Sequence, residues 1–181
     1  MSNETSAKLE RILIATDGSQ QAQWATRFGG QLAVQLGAKV LLLHVVVPSI
    51  PTSGDFVTTR RLEEVRREFG LDLLGRTRRS LPEGMEVYSA QRTGLPSEEI
   101  AAEAKAWRAD LVILGTHGQG RIARLLLGST ADAVIRQAPC PVITISHEPA
   151  WDDDIESEGT EADDQATEPV AAHVEHASAD E

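Results

Sequence analysis

The sequence predicts an α/β fold, a mostly parallel sheet covered by helices on both faces. Two observations carry this expectation. Residues 11–16, 39–47 and 110–115 are short apolar runs without strict alternation, the pattern of strands buried on both sides, and residues 85–91 and 141–145 complete a set of five. The segments between the runs place apolar residues at three- and four-residue spacings, the period of a helix packed on one face. Strands alternating with helices imply parallel strands joined by right-handed crossovers.

The elements follow in order. After the first run comes Asp17-Gly18-Ser19, where Ser19 can cap a helix whose apolar residues are Ala22, Ala25, Phe28, Leu32 and Leu36, with Gly37 as its stop. Pro48 ends the second run and a stretch rich in Pro, Ser, Thr and Gly reads as a loop. Over residues 58–81 the spacing of Leu62, Val65, Phe69, Leu73, Thr77 and Leu81 predicts one inward face of a long helix, weakly interrupted at Gly70 and Gly75, with Arg crowding the other face. Gly94-Leu95-Pro96 opens a helix with Ser97, Glu98 and Glu99 in its first turn and Ile100, Ala104 and Trp107 on its inner side. One or two helical segments are expected over residues 121–137.

Charge divides the chain. The formal charge is -11, yet residues 148–181 hold 13 Asp and Glu and no Lys or Arg, leaving 15 acidic and all 17 basic residues before them, a balance of +2. Such a tail buries too little apolar surface to offset its ordering entropy and reads as disordered. The expected organisation is a flexible terminus over 1–8, one domain over 9–147, and the acidic tail over 148–181. No run is long and apolar enough to span a bilayer, and the first ten residues lack the pattern of a signal peptide, so a cytoplasmic protein without membrane attachment is expected. Cys140 is the lone cysteine, which excludes an internal disulfide and a cysteine-based zinc site and reads as a buried, inert thiol.

In open parallel sheets ligands collect beyond the carboxyl ends of the strands. There the fourth run continues into Gly115-Thr116-His117-Gly118-Gln119-Gly120, and Gly128-Ser129-Thr130 follows Gly118 after nine intervening residues. Glycines after a buried strand let an anion approach the main chain, and Gly-Ser at a helix start offers N–H groups, a hydroxyl and a favourable dipole. Asp17 could bind a ribose hydroxyl, assist a metal or cap the next helix. His117 could donate to a phosphate or brace its loop. His44 reads as a satisfied histidine near the core, with contact to a ligand as the alternative, and Arg121 and Arg124, just beyond the phosphate loop, as exposed residues, with reach to a terminal phosphate as the alternative.

This glycine pattern resembles the nucleotide-binding signature of the universal stress protein family. The resemblance extends to Ile12-Leu13-Ile14-Ala15-Thr16-Asp17-Gly18-Ser19, Leu43-His44-Val45, Gly94-Leu95-Pro96, Ala109-Asp110-Leu111-Val112-Ile113-Leu114-Gly115 and Ala138-Pro139-Cys140-Pro141-Val142, spanning about residues 9–146. It implies the ATP-binding subgroup, a Rossmann-like open sheet of five parallel strands ordered 3-2-1-4-5, and a homodimer paired through the last strand. By position it implies that Thr16, Asp17 and Val45 flank the adenosine and that Leu114 and Gly115 line its base and ribose side. His117, Gly118, Gly128, Ser129 and Thr130 would hold phosphates, with magnesium entering on the nucleotide.

Binding is favoured over catalysis. The loop lacks the Gly-Lys-Ser/Thr ending of a Walker A motif, so no Lys is placed to follow a transferring phosphoryl group. The expected function is a stress-response regulatory or sensing protein; the alternatives are a slow ATP hydrolase or phosphoryl-transfer protein and a nucleotide-independent dimeric module. The apolar strand Val142–Ile145 would be an exposed edge in a monomer, which a second copy would cover. Nucleic acid is disfavoured because Glu63, Glu64 and Glu68 interleave the Arg cluster and no aromatic platform accompanies it. The tail, anchored through Trp151, could compete with anionic ligands for basic surface. The sequence specifies no protein partner.

Overall fold

A computed structural model describes residues 8–48, 56–116 and 127–149 of the chain. The expectations for residues 1–7, for the acidic tail from residue 150 onward, and for Trp151 lie outside those residues. Within them the order is β1 (Arg11–Ala15), α1 (Gln20–Leu36), β2 (Lys39–Val46), α2 (Phe56–Arg79), β3 (Val87–Thr93), α3 (Pro96–Trp107), β4 (Leu111–Gly115), α4 (Ser129–Gln137) and β5 (Val142–Ile145). All neighbouring strands pair in parallel and the sheet order is β3-β2-β1-β4-β5. The third strand starts two residues later than its apolar pattern suggests and runs through Thr93, because its register is set by pairing along the whole of β2, from Val40 opposite Val87 to Val46 opposite Thr93.

The absence of alternation in β1 and β4 has its physical cause in two cores. Ile12, Ile14, Val40, Leu42, Leu111 and Ile113 pack on one face with Ala25 and Ala33 of α1 and Leu74 of α2. Leu13, Leu41, Leu43, Val112 and Leu114 pack on the other with Ile100 and Ala104 of α3 and Ala131 and Val134 of α4. Ile12, Leu13 and Ile14 are fully buried, and each such side chain contributes about 1.5–3 kcal/mol by leaving water.

Two helix faces differ from their predicted ones. In α1 the buried positions are Ala22, Ala25, Thr26, Gly29, Gly30 and Ala33, while Leu36 is exposed. Small residues form the contact because the helix lies so close to the sheet that a Cβ on Gly29 would stand 2.6 Å from Ile14 Cδ1. A spacing argument built on large side chains therefore turns the helix slightly too far. Ser19 caps it as expected, its Oγ accepting the Ala22 N–H at 3.3 Å, and Gly37 ends it with a left-handed φ of 63°.

In α2 the expected stripe splits. Leu73, Leu74 and Gly70 are buried, whereas Leu62, Val65 and Phe69 are exposed. From Gly70 onward the helix buries residues against the sheet, whereas from Arg60 to Phe69 the side chains are largely exposed. Gly70 is thus a point of close contact rather than a weak interruption: a Cβ there would meet Gln91 Nε2 at 2.1 Å and His44 Cδ2 at 2.5 Å. The arginines of this helix, from Arg60 to Arg79, are exposed as expected, and Arg60–Glu64 and Arg76–Asp72 form surface pairs one turn apart.

Asp110 had no role assigned from the sequence beyond the start of a strand. Its Oδ2 accepts the N–H groups of Glu10 and Arg11, both at 2.9 Å, while its own N–H donates to the Arg11 carbonyl at 2.9 Å. One carboxylate thereby aligns the amino ends of the two central strands. Asp110→Ala is expected to lower the unfolding free energy by about 1–3 kcal/mol because two strand-end N–H groups lose their acceptor, whereas Asp110→Asn, which keeps an accepting oxygen, should lose less. Urea titrations of the two variants check this; equal losses would show that the bonds to Glu10 and Arg11 are not what matters.

Candidate functional site

The chain leaves β1 through α1 toward β2 on one side, while β4 flanks β1 on the other. Between β1 and β4 the strand order reverses, and their carboxyl ends open the crevice where ligands of such sheets bind. Three segments meet there, and each is held by specific bonds.

The first is the exit of β1. Thr16 is buried, its N–H donating to the Leu43 carbonyl at 2.9 Å and its carbonyl accepting from His44 Nδ1 at 2.8 Å. A carbonyl can only accept, so Nδ1 carries a proton. Beyond it Asp17 is half-buried, and its Oδ1 accepts the Ser19 N–H at 3.0 Å. Asp17 therefore shapes the turn into α1, while the capping role belongs to Ser19. Gly18 takes φ 81°, a conformation that glycine adopts without strain.

The second segment is the end of β4. Leu114 is 4% exposed and its side chain belongs to the core on the α3–α4 side, so it offers the crevice main chain rather than side chain. Gly115 has a packing requirement of its own. A Cβ there would stand 2.8 Å from Gln21 Cβ and 2.9 Å from the Ala22 nitrogen, so the strand end and the first turn of α1 touch through backbone. Val45, half-buried, packs against the same core as Leu114 from the end of β2.

The third segment is the start of α4. The Thr116 N–H donates to the Ile145 carbonyl at 2.9 Å, and the Gly128 N–H donates to the Thr116 carbonyl at 2.8 Å. That second bond brings Gly128 back to the end of β4. The first intrahelical bond runs from the Asp132 N–H to the Gly128 carbonyl at 2.9 Å, so the N–H groups of Ser129, Thr130 and Ala131 precede the ladder at the positive end of the helix dipole. Gly128 itself supplies no capping side chain.

Of the expected site residues, Thr16, Asp17, Val45, Leu114, Gly115, Gly128, Ser129 and Thr130 thus fall at one end of the sheet. His117 and Gly118, like Arg121 and Arg124, lie outside the described residues. No group of three His, Cys, Asp or Glu side chains among the described residues is arranged as a metal site. Asp17 is the carboxylate that the loop after β1 brings to this end, a hard oxygen donor of the kind magnesium accepts alongside phosphates. Missed from sequence was the bond from His44 to Thr16; the available signal was a histidine inside an otherwise apolar strand run. Away from the crevice, Cys140 is half-buried rather than buried, and burial, with the Asp110 carboxylate adding to it, pushes its thiol pKa up.

Comparison with known proteins follows the same boundaries. The model of the universal stress protein family matches residues 8–146. A universal stress protein of Methanocaldococcus jannaschii is 31% identical over 141 residues, covering 75% of this chain and 81% of the relative. Among solved structures, universal stress protein UspA from Lactobacillus plantarum superposes with a TM-score of 0.68 at 25% identity, over 76% of this chain and 98% of that one. The universal stress protein from Archaeoglobus fulgidus in complex with dAMP superposes with a TM-score of 0.54 at 24% identity, over 77% of this chain and 99% of that one. Among the described residues no helix is long and apolar enough to cross a membrane.

Two outcomes follow from this geometry. Gly115→Ala should destabilise the protein by about 1–3 kcal/mol, since the new methyl meets backbone that cannot swing aside; a melting temperature equal to that of the parent would show that α1 yields instead. Cys140 should react with iodoacetamide at pH 8 more slowly than a free cysteine peptide, because its raised pKa leaves less thiolate at that pH. A rate equal to the peptide's would mean that the thiol stands in open water.

Proposed function

The chain belongs to the universal stress protein family, and from that premise we propose that it is a regulatory protein binding ATP, with magnesium carried on the phosphates, in the crevice between β1 and β4. The observation that carries the reading is the 2.8 Å bond from the Gly128 N–H to the Thr116 carbonyl. It brings a helix start with three N–H groups outside its own ladder to the carboxyl end of β4, next to the exit of β1. Phosphate suits the first and a nucleoside suits the second.

The roles divide along the crevice. Thr16, Asp17 and Val45 flank the adenosine, Asp17 as an acceptor for ribose hydroxyls. The main chain at Leu114 and Gly115 lines the base and ribose side. Gly128, Ser129 and Thr130 hold phosphates from α4, and His117 and Gly118 hold them from the preceding loop. Domain charge supports an anionic ligand, because residues 1–147 balance at +2 once the acidic tail is set apart. The same fold accommodates an adenine nucleotide in the Archaeoglobus fulgidus protein, solved with dAMP.

The protein acts as a homodimer in this reading. β5 closes one side of the sheet with β4 as its described neighbour, and all four of its residues are half-buried. A second copy pairing along Val142–Ile145 would satisfy that edge. Occupancy of the crevice, only a few residues from β5 through the bond from Thr116 to Ile145, would then bear on the dimer.

Calorimetric titration with Mg-ATP tests the site. The full chain should bind, Ser129→Ala should bind about two- to fivefold more weakly through loss of one hydrogen bond, and Gly128→Val at least tenfold more weakly because a branched side chain would stand at the phosphate approach. Absence of binding at millimolar ATP would overturn the nucleotide reading. Equilibrium sedimentation should give twice the monomer mass at micromolar concentration, and a monomer would remove the β5 interface.

A further inference from the structure

We propose that His44 is a positioning residue that couples α2 to the nucleotide crevice: its Nδ1–H bond to the Thr16 carbonyl sets the exit of β1, and Gly70 of α2 provides the seat that holds the ring in place. The proposal rests on the adenine-nucleotide reading for its consequence on affinity, and on geometry alone for the coupling itself. His44 lies inside β2, a strand otherwise made of aliphatic side chains and one exposed Lys, and it is 8% exposed. A polar ring in that setting needs a partner, and the partner it has is not side chain but the main chain of the neighbouring strand at 2.8 Å. Thr16 is the residue immediately before Asp17, so the carbonyl that His44 holds belongs to the peptide unit whose nitrogen is that of Asp17.

The ring is fixed from its other side by α2. A Cβ on Gly70 would stand 2.5 Å from His44 Cδ2 and 3.1 Å from Nε2, with the Gln91 amide beside them, so the helix backbone packs closely on the imidazole. Gln91 of β3 completes the wall, its Nε2 donating to the Arg67 carbonyl at 3.0 Å one turn before Gly70. The path is therefore continuous: α2 backbone at Gly70, the His44 ring, the Thr16 carbonyl, Asp17. Each contact is a rigid one, backbone or aromatic ring, so displacement of α2 moves the turn that holds Asp17 rather than being absorbed by a flexible side chain. The part of α2 before Gly70 carries Leu62, Val65 and Phe69 exposed, so Gly70 stands where the buried stretch of the helix begins.

The test compares two amides. In His44→Asn the side-chain NH2 falls where Nδ1 stands and can still donate to Thr16; in His44→Gln the same amide sits one carbon farther, where Nε2 stands, and cannot. Calorimetric titration of the full chain with Mg-ATP should place His44→Asn within about threefold of the parent and His44→Gln about five- to tenfold weaker, the equivalent of one hydrogen bond. Amide hydrogen exchange in the nucleotide-free proteins should show the Ser19 N–H, bonded to Asp17, exchanging faster in His44→Gln and at the parental rate in His44→Asn. Equal behaviour of the two variants in exchange would overturn the coupling, and equal affinities with distinct exchange would overturn its bearing on the ligand. A parent that binds no ATP at millimolar concentration would instead defeat the nucleotide reading, leaving exchange to decide the coupling by itself.

Discussion

Two central strands, β1 and β4, are buried on both faces while their connecting helices lie on opposite sides of the sheet, and most of the molecule is arranged around that condition. A strand with no solvent face is built mainly of apolar side chains, with a buried polar one such as His44 in β2 held by a hydrogen bond, so most of the chemistry resides where the strands end. Ile12, Leu13 and Ile14 on one strand and Val112 and Ile113 on the other leave no polar side chain between them. Thr16, Asp17, Thr116 and Gly128 come next in space because they stand where the strands stop. The crevice between these two exits is thus a by-product of burying a parallel sheet completely, and what it presents is largely main chain and a helix start.

Much of this was legible beforehand. Continuous apolar runs at residues 11–16, 39–47 and 110–115 point to buried strands because they are short, rich in Val, Ile and Leu and bounded by turn residues, and Ser19 and Gly37 mark helix ends through chemistry local to those residues. The order of the sheet came from the family resemblance rather than from periodicity. What escaped depended on distance between elements. Leu36 looks like a core residue until α1 is found so close to β1 that its buried positions are small residues, and Gly70 looks like a flaw in α2 until His44 is found under it. Leu62, Val65 and Phe69 have helical spacing that is real, yet the helix outruns the sheet that would cover them.

The candidate site divides in the same way. Its residue types and their spacing were visible in the glycine pattern and in Asp17. Their roles were not, because a role depends on what the remaining valences of each group are doing. Gly115 illustrates the difficulty: a glycine in a ligand loop suggests approach of a ligand, but here approach of the first turn of α1 already requires it. Asp17 likewise spends one oxygen on Ser19. Only coordinates separate a residue that serves the scaffold from one that serves the ligand, and several here serve the scaffold in the place where a ligand would be.

The bonds of Asp110 acquire a further meaning from their location. They tie Glu10, Arg11 and the start of β4 together at the amino ends of the strands, away from the crevice. The sheet is thus clamped at one end and furnished with loops at the other. Such an arrangement separates the two ends of the sheet: a substitution at Thr16 or Thr116 lies a strand's length from the Asp110 bonds and leaves their donors and acceptor in place.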